Sequence, residues 1–181
     1  MGKRSDFERK PKDYYPTPRK AVLPLLPHLP STEFTFIEPC AGDGRLISHI
    51  EELSHGVCID AYDIEPRSSR VKEKDARQVP RLIGSSLPEM FITNPPWSRE
   101  AMHGVIEALS SVAKTWLLID ADWAHTKQAH RYLLRCSSIV SVGRVSWEGN
   151  GISGKDNCAW YCFENKDVRT EFFGWREKTY E

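Results

Sequence analysis

Residues 91–97, Phe91-Ile92-Thr93-Asn94-Pro95-Pro96-Trp97, form a short apolar run that ends in an amide side chain, two prolines and an indole. Because the prolines lack a backbone N–H and fix φ, the predicted strand has to stop there and the turn that follows is stiff. Ligands of open α/β sheets bind in the crevice outside the carboxyl ends of the strands. The pattern therefore places the amide, the neighbouring carbonyls and the aromatic ring at a candidate site.

This group of atoms suits a planar substrate that carries an NH2 group. The Asn94 side-chain carbonyl and a main-chain carbonyl can each accept a hydrogen bond from that NH2, while the Trp97 ring stacks on the flat face. Both hydrogen bonds make the nitrogen lone pair more available to an electrophile. The alternative is a strand followed by a proline-stiffened turn, with Trp97 as a plug in the core, since Pro-Pro turns have many uses.

The chain around this stretch alternates strands with helices, which predicts an α/β fold with a mostly parallel sheet. The pattern predicts strands at 33–38, 56–63, near 71, 89–93, 115–120, 139–145 and 158–164. It predicts helices at 19–29 (short or broken at its prolines, with Thr17 as its cap and Pro18 at its first position), 46–53, from about 66, 99–113 and 125–134. The glycine-rich stretch 149–155 looks like a hairpin loop, so the last strand is expected to be antiparallel.

Length and composition are those of one globular domain: 181 residues, 40% hydrophobic and 28% charged. Residues 1–13 are polar and aperiodic, which predicts a flexible charged arm before a domain at 14–181. No apolar run is long enough to span a membrane, and the N-terminus lacks the features of a secretory signal. Five cysteines without a CxxC pair favour free thiols in a reducing cytoplasm over disulfides or a zinc site.

The net charge is zero, from 25 basic and 25 acidic residues, which is unusual for a dedicated duplex-binding protein. Two basic clusters stand out, one within the first 20 residues and one at 67–81. Either could contact a polyanion, although each is also compatible with a solvated surface.

A tight glycine turn, Glu38-Pro39-Cys40-Ala41-Gly42-Asp43-Gly44, follows the first predicted strand and leads into a helix. Glycines let a backbone approach a nucleotide-type cofactor closely, with the helix N-terminus beyond. The turn is neither GxGxxG nor a P-loop, and its acidic residues would repel a pyrophosphate. It therefore favours a cofactor with positive charge, and the alternative is an ordinary strand-to-helix turn.

Two further acidic residues end predicted strands. Asp63 lies about twenty residues beyond the glycine turn, where a carboxylate can accept from both hydroxyls of a ribose. Asp75 closes the weak third strand and could accept from an adenine amino group. Each alone could equally cap a helix or face solvent, but together with Asn94 these strand ends predict a linear site.

The order Tyr-Pro-Thr-Pro (15–18), Glu-Pro-Cys-Ala-Gly-Asp-Gly, Asp-Ile-Glu-Pro and Asn-Pro-Pro-Trp resembles the class I S-adenosylmethionine-dependent methyltransferases. More closely, it is similar to the small phage and prophage DNA N6-adenine methyltransferases, including a tail with Gly154-Lys155-Asp156 and Ala159-Trp160-Tyr161. The similarity covers about residues 13–165. It implies a single Rossmann-like domain with a seven-stranded sheet and an antiparallel C-terminal hairpin.

The resemblance also implies roles for individual residues. Tyr15, Thr17 and Pro18 would line the methionine end of S-adenosylmethionine, and Glu38, Pro39, Cys40, Ala41, Gly42 and Gly44 would wrap it. Asp63 with Ile64 would hold the ribose and flank the adenine, whose amino group Asp75 would bind. Asn94, which also borders the cofactor, would receive the target amino group together with Pro95, beside Pro96, while Trp97 stacks on a flipped or single-stranded adenine of DNA. No metal or covalent intermediate is needed.

The chain departs from the family in two respects. It has no room for a separate target-recognition domain, and Trp97 replaces the more common tyrosine or phenylalanine. The resemblance implies adenine-N6 methylation of DNA with loose sequence preference, in the bacterial host cytoplasm if the protein is phage-encoded. The alternatives are an adenine in RNA, a glutamine in a protein, or an inactive cofactor-binding protein that acts through interactions.

Overall fold

A computed structural model describes residues 14–82, 87–147, 154 and 156–174. In this part of the chain the strands are β1 Phe34–Glu38, β2 Gly56–Asp63, β3 Lys72–Glu73, β4 Met90–Thr93, β5 Lys114–Asp120, β6 Cys136–Gly143, β7 Cys158–Phe163 and β8 Glu171–Phe173. The α-helices are α1 Arg19–Val22, α2 Arg45–Leu53, α3 Arg99–Ser110 and α4 His130–Leu133. The 3₁₀ helices are Leu23–His28, Ala76–Arg81 and Ala121–His125.

All these strands form one sheet with the order β3-β2-β1-β4-β5-β7-β6-β8. Strands β1 to β5 are parallel, whereas β7 is antiparallel to both β5 and β6. The predicted α/β class and the antiparallel C-terminal hairpin are confirmed. The predicted number of seven strands is too low, because β8 pairs with β6 and makes an eighth.

Amphipathic helices cover both faces of the sheet. On one face, Leu46, Ile47 and Ile50 of α2 pack into a core with aromatic side chains of β1. On the other face, α3 buries Val105 and Leu109 in a second core. The apolar residues of each helix recur every three to four positions, so one stripe faces the sheet and the opposite stripe faces water.

Several predicted helices are shorter than expected. Pro24 and Pro27 have no N–H to donate, and the first helix accordingly changes to a 3₁₀ helix after Val22. Thr17 is not its cap: Pro18 occupies the N-cap position, and Thr17 is buried. The helix expected from residue 66 is replaced by turns, and the one expected at 125–134 by a 3₁₀ helix and the single turn α4.

The predicted arm 1–13 and most of the predicted hairpin loop 149–155 lie outside the described residues. Among the residues that are described, no helix combines the length and the apolar composition needed to cross a bilayer. In the same part of the chain, no three His, Cys, Asp or Glu side chains are grouped so that they could hold a metal ion. The five cysteines are free thiols.

Candidate active site

A cleft opens at the carboxyl edge of the sheet, beyond the ends of β1, β2 and β4. The parallel strands bring their carboxyl ends to the same edge, so motifs far apart in the sequence converge there. Twelve of the predicted site residues line this cleft: Tyr15, Thr17, Glu38, Pro39, Cys40, Ala41, Gly42, Asp63, Ile64, Asp75, Asn94 and Pro96. Four others do not line it: Pro18, Gly44, Pro95 and Trp97.

The glycine turn between β1 and α2 requires glycine at Gly42. Its φ is +52°, and a Cβ added there would lie 2.7 Å from Cε2 of Tyr14. Any other residue would thus be strained and would also collide with that ring. The requirement for glycine at this turn therefore comes partly from the Tyr14 ring, which lies outside the predicted motif.

Asp63, at the end of β2, holds the same turn. Its Oδ2 accepts a hydrogen bond from the Gly42 N–H at 2.8 Å, and its Oδ1 accepts one from the Glu65 N–H at 2.7 Å. Each carboxylate oxygen has more than one lone pair, so both retain capacity to accept from a ligand. The predicted contact of Asp63 with a ribose stays a prediction, and the structure adds a scaffolding role.

Asp75 does not close a strand. It is the N-cap of the 3₁₀ helix Ala76–Arg81 and accepts from the Arg77 N–H at 2.9 Å. The Arg77 guanidinium also donates to this carboxylate, at 3.0 Å through Nε and at 2.5 Å through Nη2, and these contacts lower the pKa of Asp75. A ligand that uses Asp75 has to share it with Arg77.

The cleft is acidic. Carboxylates outnumber guanidinium groups five to two among its lining residues, namely Glu38, Asp43, Asp63, Glu65 and Asp75 against Arg67 and Arg77. Glu38 is only 2% exposed, and its Oε2 has no hydrogen-bond partner among the described residues. Burial, followed by the nearby charges of Asp63 and Asp43, raises the pKa of Glu38 well above its usual range. An acidic cleft that contains a buried carboxyl with one oxygen lacking a partner among the described residues favours a positively charged ligand.

Residues 14–18, which we call the strap, lie across the cleft. The Tyr14 ring packs on Gly42 and under the Arg67 guanidinium, whose Cζ is 4.1 Å from the ring centroid. The Arg67 N–H donates to the Gly42 carbonyl at 2.9 Å, so Arg67 fastens both the strap and the glycine turn. The sequence analysis missed Tyr14 and Arg67, because nothing local marks a contact between residues 53 positions apart.

Asn94 is oriented by the strap. Its Nδ2 donates a hydrogen bond to the Tyr15 carbonyl at 3.0 Å. A backbone carbonyl can only accept, so this bond fixes the amide with its nitrogen toward the strap. The Oδ1 of Asn94 is thereby left to face the other side as an acceptor, as a substrate NH2 group requires.

Trp97 is half-buried and contacts both cores of the sheet. Its Nε1 donates to the Leu118 carbonyl at 3.1 Å, which fixes the ring against β5. The Trp147 ring meets it edge to face, with centroids 5.7 Å apart and planes at 86°, and also contacts Tyr15 at 6.2 Å. The structure therefore gives Trp97 a packing role, and its predicted stacking on a substrate ring stays a prediction. Trp147, which the sequence analysis did not single out, adds a second ring.

The sequence matches no protein-family model and no curated protein. Solved structures do match. Two are named as putative enzymes, an RNA methyltransferase from Pyrococcus horikoshii and a class I S-adenosylmethionine-dependent methyltransferase from Listeria monocytogenes. Their TM-scores are 0.63 and 0.53, at 11% and 8% identity, over 87% and 86% of this chain and 88% and 61% of theirs.

A third match is the M protein of the type I restriction enzyme EcoKI, with a TM-score of 0.52 and 11% identity over 87% of this chain. This chain spans 48% of the length of that protein. At such identities the likeness concerns the fold alone: the chain has the Rossmann-like fold of the class I methyltransferases.

Proposed function

We propose that this chain is an S-adenosylmethionine-dependent methyltransferase that acts on the N6 amino group of adenine in DNA, with loose sequence preference. It would work as a single domain at 14–181 in the cytoplasm, which is that of the bacterial host if the protein is phage-encoded. The observation that carries the proposal is the orientation of Asn94, whose amide nitrogen is tied to the strap and whose oxygen is free to accept.

The acidic cleft fits the proposed cofactor. S-adenosylmethionine carries a sulfonium and an amino group, and the acidic side chains around the cleft would stabilise these charges. Gly42 lets the backbone approach the methionine part closely, and Asp63 and Asp75 follow along the linear site as partners of the ribose and the adenine. Glu38 lies at the base of that site and would gain a cationic neighbour.

The acceptor side fits a flat ring with an exocyclic NH2 group. In the proposed mechanism, Asn94 Oδ1 and the Pro95 carbonyl each accept a hydrogen bond from the amino group and so direct the nitrogen lone pair toward the cofactor. Trp97 and Trp147 supply apolar walls for the ring. The cofactor supplies a methyl group on a good leaving group, so catalysis consists mostly of positioning and of hydrogen-bond polarisation. The surplus proton leaves the nitrogen for solvent after transfer.

The test is mass spectrometry of nucleosides from DNA and RNA that have been incubated separately with the protein and S-adenosylmethionine. We expect N6-methyladenine in the DNA digest alone. The same mark in RNA alone would replace DNA by RNA as the substrate. Should neither digest carry a mark although calorimetry shows cofactor binding, the proposal fails, and a protein amide or a binding role takes its place.

A further inference from the structure

A second cleft lies on the other flank of α3. Its lining consists of His103, Lys127, Gln128, His130, Arg131 and Leu134. On α3, Ala101 and Val105 line the first cleft, and His103 lies between them in the sequence. Positions two apart on an α-helix point to nearly opposite sides, so α3 separates the two clefts.

The second cleft runs beside α3 from the edge of the sheet where Asn94 lies toward the opposite edge. At the near end, strand β4 leads to Asn94, and its parallel neighbour β5 leads directly to the 3₁₀ helix Ala121–His125, after which Lys127 follows. At the far end, Leu134 lies two residues before β6, whose first residue pairs with Phe163 beside the start of β5. His103 is four residues into α3, or about 6 Å along its axis at 1.5 Å per residue. The Lys127 end of the second cleft is thus the end nearer to the acceptor side of the active site.

The second cleft offers hydrogen-bond donors and no carboxylate among its lining residues. His103 Nε2 accepts from the Trp123 indole N–H at 3.1 Å, which leaves the ring proton on Nδ1. Burial, with the Arg131 charge, lowers the pKa of His103, so the neutral ring with an Nδ1–H donor is the stable form.

The two cations of this cleft have spare N–H donors, although Arg131 is ion-paired. Arg131 binds Glu107 through Nη2 at 2.8 Å, and the same nitrogen contacts the Tyr132 hydroxyl. Its remaining N–H groups have no partner in the described part of the chain. Lys127 is exposed and forms no ion pair with any described carboxylate.

The basic cluster at 67–81 is mostly ion-paired. Four of its six members form ion pairs: Arg67 with Glu65 at 3.6 Å, Arg70 with Glu51 at 2.6 Å, Lys72 with Asp60 at 2.8 Å, and Arg77 with Asp75 at 2.5 Å. These carboxylates therefore neutralise much of the cluster that the sequence made most conspicuous. Lys127, at the end of the second cleft nearer to the acceptor pocket, has no such partner among the described carboxylates.

We propose that the second cleft binds a backbone phosphate of the DNA strand whose adenine enters the acceptor pocket. Lys127 and Arg131 supply the charge, and His103 and Gln128 supply neutral donors. The inference rests on the proposed function, and it explains how a chain with no net charge holds a polyanion: one local cationic cleft supplies the contact.

The experiment measures binding of a fluorescein-labelled, adenine-containing single-stranded DNA oligonucleotide by anisotropy at several NaCl concentrations. It compares the wild type with Lys127→Glu and with Lys127→Glu/Arg131→Gln. Lys166→Glu is the matched control, because this exposed lysine lies in the bend after β7 and lines neither cleft.

We expect roughly 3- to 10-fold weaker binding for Lys127→Glu, with the salt slope reduced by about 0.7 for each lost phosphate contact. The double variant should be weaker still, and Lys166→Glu should match the wild type. In methylation assays the KM for DNA should rise with kcat unchanged, since neither side chain touches the reacting atoms. Cofactor affinity by calorimetry should be unchanged in all variants.

If the wild type methylates DNA while Lys127→Glu and the double variant bind the oligonucleotide with wild-type affinity and slope, the second cleft is not a phosphate site. That result would leave the proposed function intact. If the wild type neither binds nor methylates DNA, although it binds the cofactor, the proposed function fails and this inference fails with it.

Discussion

The two halves of the active-site edge are built from different chemistry. Around the ends of β1 and β2 the groups are charged and bonded to one another, as with Asp63 to the Gly42 N–H and Asp75 to Arg77. Beyond β4 the groups are an amide and aromatic rings, namely Asn94, Trp97 and Trp147. The first half suits a charged ligand made of several chemical groups, and the second half suits a flat, neutral ligand.

Under the proposed function, one sheet edge binds two different substrates. Charge would select the cofactor in the first half, whereas shape and one oriented acceptor would select the target ring in the second. A single covalent segment, the strap, contacts both halves through Tyr14 and Tyr15. If the halves are functionally separate, substitutions in one should leave the other unaffected.

The largest effect is expected for Asn94→Ala. Loss of the oriented acceptor should lower kcat for methyl transfer about 100- to 1,000-fold, because the Asn94 oxygen polarises the amino nitrogen through a hydrogen bond while the new bond to the methyl group forms. Cofactor affinity should stay close to that of the wild type in a calorimetric titration. Asn157→Ala, an exposed asparagine that contributes its carbonyl to Ala121, is the control. Equal losses of transfer and cofactor binding would contradict the separation of the halves.

Asp63→Ala tests the cofactor half. We expect cofactor binding to weaken by about 1–3 kcal/mol, from loss of charge-assisted hydrogen bonds and of the support for the Gly42 turn. Asp60→Ala is the control: Asp60 lies three residues earlier on β2, bonds to Tyr62 and Lys72, and does not line the cleft. Unchanged cofactor affinity in Asp63→Ala would exclude the assigned contact.

Trp147→Ala tests whether the second ring contributes to the acceptor half. Removal of this wall should weaken binding of the DNA substrate by about 1 kcal/mol, as loss of an aromatic contact usually does. Trp147→Phe should restore most of the loss, since a ring remains at the same place. Substrate affinity can be followed by oligonucleotide anisotropy. A weaker affinity for the cofactor alone would instead place Trp147 in the other half.

The smallest effect is a pH dependence that arises from Glu38. The raised pKa means that part of the free protein holds this carboxyl protonated above the usual glutamate range. A cationic ligand favours the ionised form, so its binding should release protons, and affinity should rise with pH until Glu38 is ionised in the free protein. Titrations in two buffers of different ionisation enthalpy measure the protons released. Glu38→Gln should abolish the pH dependence, and proton uptake by the wild type would contradict the sign.

The sequence predicted the parts of the site that lie within one strand and its following turn. The proline pair after β4 and the glycine turn after β1 each carry a local signal, and the parallel sheet brings such signals to one edge. The fold class followed from the alternation of strands and helices. The three-residue β8 did not, because Glu171–Phe173 is too short to show a period.

What escaped prediction depends on contacts across the fold. The stacking of Arg67 on Tyr14, the pairing of Arg70 with Glu51 and the meeting of Trp147 with Trp97 join residues without any local pattern. The basic cluster at 67–81 was misleading for the same reason. In the sequence it looked suited to bind a polyanion, but in the structure tertiary contacts with carboxylates largely neutralise its charge. Local composition indicates charge, whereas only tertiary contacts show whether that charge is available.

The position of β7 in the sheet also determines when the protein can finish folding. Strand β6 reaches the rest of the sheet only through β7, which follows it in the chain and pairs with β5. During synthesis, β5 therefore remains an open edge and β6 has no partner until residues 158–163 leave the ribosome. The indole N–H of Trp160 then bonds to the Ala21 carbonyl at 2.8 Å, which joins the late strand to the segment after the strap. A nascent chain that stalls before this strand exposes an unpaired apolar edge, which is prone to aggregation.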